Sequence, residues 1–268
     1  MAVHMETTQD GALATVVLEN TGKFNAMSRS MWRELRAVFT AAQLQPGLRC
    51  ILVQGADGHF CAGGDIQEYP AFRFDRQSLQ AFHEGDVWAA LQAMLDCDVP
   101  IIAQIEGNCM GAGLEIASCC DLRWASQTAR FGAPIAKLGF PMAPREAALV
   151  AGAVGHTTAR AMLLAAAVFD APHMLRSGFL TGLCVPADTA AYCKAQALAI
   201  TALAPQAARM NKQTFRALNR AIEPMDSAGE APDLIANNAN TSACYDYADR
   251  PEHREGIAAF LAKRPPVF

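Results

Sequence analysis

Two glycine-rich stretches carry the residues most suited to chemistry: GHFCAGGDI, Gly58 to Ile66, and MGAGLEIAS, Met110 to Ser118. Neither fits a phosphate cradle. The first lacks the Gly-Lys-Ser/Thr ending of a P-loop and has Asp65 where the lysine would help. The second offers Gly111 and Gly113, but Ile116 stands where a dinucleotide fingerprint needs its third glycine, and Glu115 would repel a pyrophosphate. What both turns offer is backbone N–H. Gly63 and Gly64 have no side chain to obstruct a ligand. Gly111-Ala112-Gly113 opens a helix whose first N–H groups are unpaired and whose dipole favours negative charge. Two such groups converging on one oxygen make an oxyanion hole. Taken singly, either turn reads as a device that lets a strand pass close to a helix.

Glu115 lies three residues after Ala112, roughly one helical turn along and on nearly the same face. That is a place for a general acid or base, and also for a carboxylate that complements the helix dipole. His59 sits beside the first turn, where a histidine is commonly just exposed. Ser118 and Cys109 flank the second, but no histidine is placed to activate them and no G-x-S-x-G elbow exists.

The elements that must position these turns alternate between strand and helix. ALATVVLE (Ala12 to Glu19) and CILVQGAD (Cys50 to Asp57) read as buried strands, separated by a helix that Ser28 caps and that ends near Gln43. A second helical stretch, Gln77 to Leu95, precedes the strand PIIAQIEG. Extended pieces follow at CDLRWAS and ARFGAP. From about Met142 onward the pattern is helical with CVPAD as a connector, giving helices over 187–203, 205–221 and 252–263. Asp65 suits the N-cap of IQEYPAF. The pattern predicts an α/β core followed by a helical appendage.

Composition narrows the function classes. Of 268 residues, 52% are hydrophobic and 18% charged, as in a soluble enzyme. The net charge of −4 and scattered lysines and arginines recommend no nucleic-acid partner and no membrane-surface patch. Nine irregularly spaced cysteines without a C-x-x-C pair argue against a disulfide framework or a zinc site, and for reduced thiols in the cytoplasm. The opening MAVHMETTQD has no apolar signal core, and the longest apolar stretch is broken by Gly155, His156 and Arg160.

In combination and in order, FNAMS, FCAGGDI, IEGNCMGAGLEIASCCDLRWAS and ARFGAPIAKLG resemble the successive motifs of the crotonase (enoyl-CoA hydratase/isomerase) superfamily, and EGIAAFLAKRPPVF is similar to its tail. The resemblance implies a spiral of ββα turns over residues 1–200 and a C-terminal helical trimerisation region over 201–268, in one continuous catalytic unit. It implies a homo-trimer or dimer of trimers acting on an acyl-CoA, with no metal and no tightly bound cofactor, coenzyme A being part of the thioester substrate. Gly64 N–H and Ala112 N–H would form the oxyanion hole, and Glu115 would be the acid/base. Coenzyme A contacts would come from Lys23, Phe24, Ala26, Ala62, Asp65 and Ile66, with Phe260 and Lys263 reaching a neighbour's coenzyme. Met110, Gly111, Pro134 and Ile135 would border the substrate. The segment QEYPAFRFDRQSLQ resembles the family's variable lid, with Tyr69, Phe72 and Phe74 as an aromatic wall. With Met110, Leu114, Ile135 and Met142 this predicts an apolar acyl pocket without charges near the thioester.

The second glutamate used by the family's hydratases falls at Ile135, which can neither take nor give a proton. That leaves open a hydratase or isomerase working with Glu115, a decarboxylase or thioester hydrolase on the same scaffold, and a non-catalytic acyl-CoA-binding paralogue. Glu146 is a candidate replacement or an ion-pair partner of neighbouring Arg145, and Asp86 or Glu84 from the second helix is a candidate hydrolytic base.

Overall fold

The computed structural model of the chain describes residues 1–222 and 247–268. Six strands form the main sheet: β1 (Ala2–Thr7), β2 (Leu13–Glu19), β3 (Cys50–Gly55), β4 (Ile101–Ile105), β6 (Leu122–Ser126) and β9 (Gly182–Cys184), in the order β1-β2-β3-β4-β6-β9. Only β1 pairs antiparallel with its neighbour; the others run parallel, in registers such as Ile51 to Ile101 and Ile102 to Leu122. Parallel strands covered on both faces need apolar residues on both, which is why CILV and IIAQI read as continuous runs. The alternation of side chains splits each run. Ile51, Val53, Ile101 and Ala103 enter the larger core, whereas Cys50, Leu52 and Ile102 pack with Cys193 and Ala197 on the other face. Those last two belong to α8 (Thr189–Thr201).

A smaller sheet, β5 (Asn108–Met110), β7 (Arg130–Gly132) and β8 (Val168–Asp170), lies beside the first. Helix α1 (Arg29–Gln43) starts at Ser28, whose hydroxyl accepts from the Met31 N–H at 3.2 Å, and buries Met31, Trp32, Leu35 and Phe39. The chain between Gln77 and Leu95 is helical as expected but not uniform. It comprises α2 (Arg76–Ala81), a π-helical segment (Phe82–Trp88) and α3 (Ala89–Asp96). Helix α4 (Ala112–Ser118) packs against α5 (Pro144–Val154), which is followed by α6 (His156–Ala165) and α7 (Ala171–Arg176).

Strands β8 and β9 interrupt the half of the chain expected from its pattern to be helical throughout. Three-residue strands present too little alternation to register against flanking helices, and β9 exists through its pairing with β6. The later helices α9 (Pro205–Ile222) and α10 (Pro251–Leu261) agree with the sequence pattern. Helix α9 is tied to the sheet: Lys212 Nζ donates to Val99 O and pairs with Asp121, both at 2.8 Å. Eight cysteines among the described residues are free and buried. Burial pushes the thiols of Cys61 and Cys120 up to about 12, so they stay protonated at neutral pH. Among the described residues no helix is long and apolar enough to cross a membrane.

Candidate active site

The two glycine-rich turns meet because short backbone bonds stitch them together. Phe60 N–H donates to Glu106 O and Cys61 N–H to Asn108 O, each at 2.8 Å, and Met110 N–H returns a bond to Cys61 O at 2.9 Å. His59 completes the join. Its Nδ1 accepts from the Asn108 N–H at 3.2 Å while its ring packs on Phe24, 4.5 Å between centroids. It is thus a structural bridge, not an exposed turn histidine or a base.

At the junction Gly111 adopts φ 47°, ψ −109°, a conformation that L side chains rarely adopt, and its N–H donates to Gly132 O at 2.9 Å. Helix α4 begins directly after this turn, with Ala112 on the cavity lining. Gly64 is required for a different reason: the hydroxyl of Tyr69 occupies the space a Cβ would need. Among the described residues neither the Gly64 nor the Ala112 N–H is spent on another backbone group.

Gly64 and Ala112 both line one cavity of about 230 Å³. That is smaller than the about 300–1,000 Å³ typical of sites enclosing a whole drug-sized ligand. Ala62, Gly64, Ile66, Met110, Gly111, Ala112, Glu115, Pro134 and Ile135 line it, bringing together nine of the residues singled out from the sequence. Others lie elsewhere. Lys23 Nζ is held by the buried Asp65 carboxylate at 2.6 Å, and Asp65 also caps the turn Ile66–Ala71 by accepting from the Gln67 N–H. Ala26 is buried, and Phe24 is exposed against His59. In the isolated chain Phe260 is 81% exposed and Lys263 is exposed, and neither lines the cavity.

The aromatic lid is also redistributed. Tyr69 faces the cavity, but Phe72 is buried behind it against Phe82, and Phe74 is 89% exposed. Leu114 is fully buried and does not reach the cavity, whereas Met142 does. Helical periodicity and an aromatic count cannot say which ring of a loop turns inward.

The cavity is not free of charged side chains. Arg73, His83 and Glu146 line it with Glu115. Glu146 arrives from the first turn of α5 and is buried, with Oε1 3.0 Å from His83 Nδ1. Neighbouring Arg145 turns away and pairs with Glu84 at 3.0 Å, so the Glu146–Arg145 ion pair does not form. Glu84 is thereby removed from the cavity. Asp86 is removed as well: it accepts from Arg29 Nε at 2.8 Å and Arg33 Nε at 2.7 Å. The π-helical segment produces this division, with Phe82, His83 and Val87 on the cavity and Asp86 toward α1. Gly85 at its centre is a poor α-helix former, and such segments cluster at functional sites.

Glu115 is buried, and its carboxyl is held well above the usual range, first by burial and then by the nearby Glu146 charge. Two like carboxyls lining one cavity disfavour each other's ionisation. Tyr69 is also kept protonated, its pKa pushed up to about 12 by burial. Cys109 and Ser118 are not nucleophiles. The Cys109 thiol is buried and raised well above its usual value, and Ser118 Oγ donates to Leu114 O at 2.7 Å.

Comparison with known proteins gives the family and the fold. The enoyl-CoA hydratase/isomerase family model matches residues 8–268. The chain belongs to the enoyl-CoA hydratase/isomerase family. An enoyl-CoA hydratase/carnithine racemase from Magnetospirillum magneticum superposes with a TM-score of 0.88 at 31% identity, over 99% of this chain and 94% of that one. Pseudomonas aeruginosa AtuE gives 0.83 at 30% identity, over 98% of each chain. Mitochondrial methylglutaconyl-CoA hydratase of Mus musculus is 28% identical over 99% of this chain and 82% of its own length. As a member of the enoyl-CoA hydratase/isomerase family the chain has the crotonase fold. Within that fold its cavity carries Ile135 where the sequence resemblance places a glutamate, and Glu146 from another helix.

Proposed function

We propose that the protein hydrates a 2-enoyl-CoA thioester, with Glu115 and Glu146 as the two proton-handling groups. The observation that carries this is that Glu115 and Glu146 line the same cavity as Gly64 and Ala112. The thioester oxygen accepts from the Gly64 and Ala112 N–H groups, which stabilise the negative charge it gains as the enolate forms. Losing one such donor costs about 3–4 kcal/mol of transition-state stabilisation. Glu146, oriented by His83, takes a proton from water as its oxygen adds to C3. Glu115, held protonated by burial, gives its proton to C2. The proton on Glu146 then returns to Glu115 through solvent, which closes the cycle. Ile135 serves as apolar wall, so its inability to carry a proton is no obstacle.

Coenzyme A enters as part of the substrate, along the side of Ala62 and Ile66. Ile257, Phe260 and Leu261 on α10 are exposed in the single chain and become covered in a trimer or a dimer of trimers. The test is turnover of crotonyl-CoA by the purified protein, followed as loss of the enoyl-thioester absorbance. Hydration by the wild type that falls in both Glu115→Gln and Glu146→Gln supports the assignment. Absence of wild-type hydration, or indifference to either substitution, overturns it.

A further inference from the structure

Arg73 presents a cation to the cavity with no carboxylate in ion-pair or hydrogen-bond contact among the described residues. Its guanidinium lies 3.5 Å from the centroid of the Phe140 ring and 4.6 Å from that of Tyr69, and all three residues line the cavity. The two rings hold each other edge-on, 5.9 Å apart. Among the described residues the Arg73 side chain makes no ion pair and no hydrogen bond; the rings are what fix it. Burial pulls its pKa below the ordinary arginine value, and Tyr69 and Glu146 partly offset this. A guanidinium packed by its face on an aromatic ring keeps its in-plane N–H edge free, and that edge matches a carboxylate bidentately.

Glu146 acts on Arg73 through space, but no carboxylate touches its N–H edge among the described residues. Glu146 is engaged by His83, and Glu115 is held protonated. Arg73 is left in the cavity with no carboxylate in contact with it among the described residues. Its distance from the reacting centre is set by Tyr69, whose hydroxyl lies against Gly64 while its ring lies under the guanidinium. A short acyl chain whose thioester oxygen sits at Gly64 therefore extends over that ring toward Arg73.

We propose that Arg73 is a carboxylate clamp, and that the acyl groups this cavity takes carry a second carboxylate at the end remote from the thioester. This rests on the acyl-CoA reading above and names the substrate class within it. The prior reaction must then be one that leaves a dicarboxylic acyl thioester.

The test is calorimetric binding of two unreactive thioesters, glutaryl-CoA and hexanoyl-CoA, to the wild type and to Arg73→Met. A bidentate charge-assisted pair predicts that glutaryl-CoA binds about tenfold tighter to the wild type and that the preference disappears in Arg73→Met. Equal affinities in the wild type, or a preference that survives the substitution, overturns the clamp. Arg73→Met weakening both ligands equally also overturns it, by placing the arginine on the coenzyme's phosphates. If hexanoyl-CoA and glutaryl-CoA both fail to bind the wild type, the acyl-CoA reading itself is wrong and the clamp falls with it. Binding of both without discrimination leaves that reading standing and removes only the clamp.

Discussion

Glu146 Oε1 sits 3.0 Å from His83 Nδ1, and both side chains line the cavity that holds Glu115. A glutamate from the first turn of α5 and a histidine from a π-helical segment thus meet across the site, 63 positions apart in the chain. The contact gives Glu146 a fixed orientation, which a carboxylate must have to deliver water to one face of a double bond.

Glu115→Gln and Glu146→Gln are each expected to lower kcat by about 10²–10⁴-fold, the usual worth of a positioned acid or base. Because the two act in one addition, the double variant is expected to be little worse than the poorer single variant. Steady-state hydration by all three variants checks this. Effects that multiply would show that the two residues act independently.

The raised pKa of Glu115 makes stability depend on pH, with a definite sign. Above the ordinary value of 4.5 the unfolded chain loses this proton while the native state keeps it. The native state then binds more protons, so stability falls as pH rises and the loss is complete above the raised native pKa. Within that window the fall is about 1.4 kcal/mol per pH unit. Urea melts between about pH 5 and 8 are expected to show the slope in the wild type and a flatter profile in Glu115→Gln. An unchanged slope in the variant would place its origin in another group.

Gly64→Ala is expected to destabilise the protein and abolish turnover, because the new Cβ collides with the Tyr69 hydroxyl. Tyr69→Phe removes the colliding oxygen. In that background the cost of Gly64→Ala should shrink, with a coupling energy of about 0.5–3 kcal/mol. Thermal melts of the four proteins in this cycle measure it, and strict additivity would mean that Tyr69 yields without resistance.

Asp86 is buried and answers both Arg29 and Arg33. Asp86→Asn is expected to cost about 3 kcal/mol, the lower end for breaking such a pair, since Arg33 remains hydrated. Hydration at a temperature where the variant stays folded should fall far less than in Glu146→Gln. A loss of the same size would restore Asp86 as a catalytic base.

Local patterns reached far into this protein. Ser28, the buried runs of β3 and β4, and the paired glycine turns were legible because capping, two-sided burial and steric freedom are properties of short stretches. Glu115 was legible for the same reason, since a helix fixes its offset from Ala112. Phe72 and Phe74 show where this stops: two aromatics of one lid differ completely in exposure, which only packing settles.

The sequence by itself determined the family, the alternating architecture and the place of Glu115 beside the glycine turns. Tertiary structure decided which further side chains share the cavity with it. Nothing local distinguishes Glu146 from a surface glutamate beside Arg145, or marks Arg73 and His83 as cavity residues. Their placement follows from α5 packing on α4 and from the π-helical segment turning His83 inward and Asp86 outward. Such contacts depend on where distant elements are brought to rest by the burial of the core, and that information is spread over the whole chain.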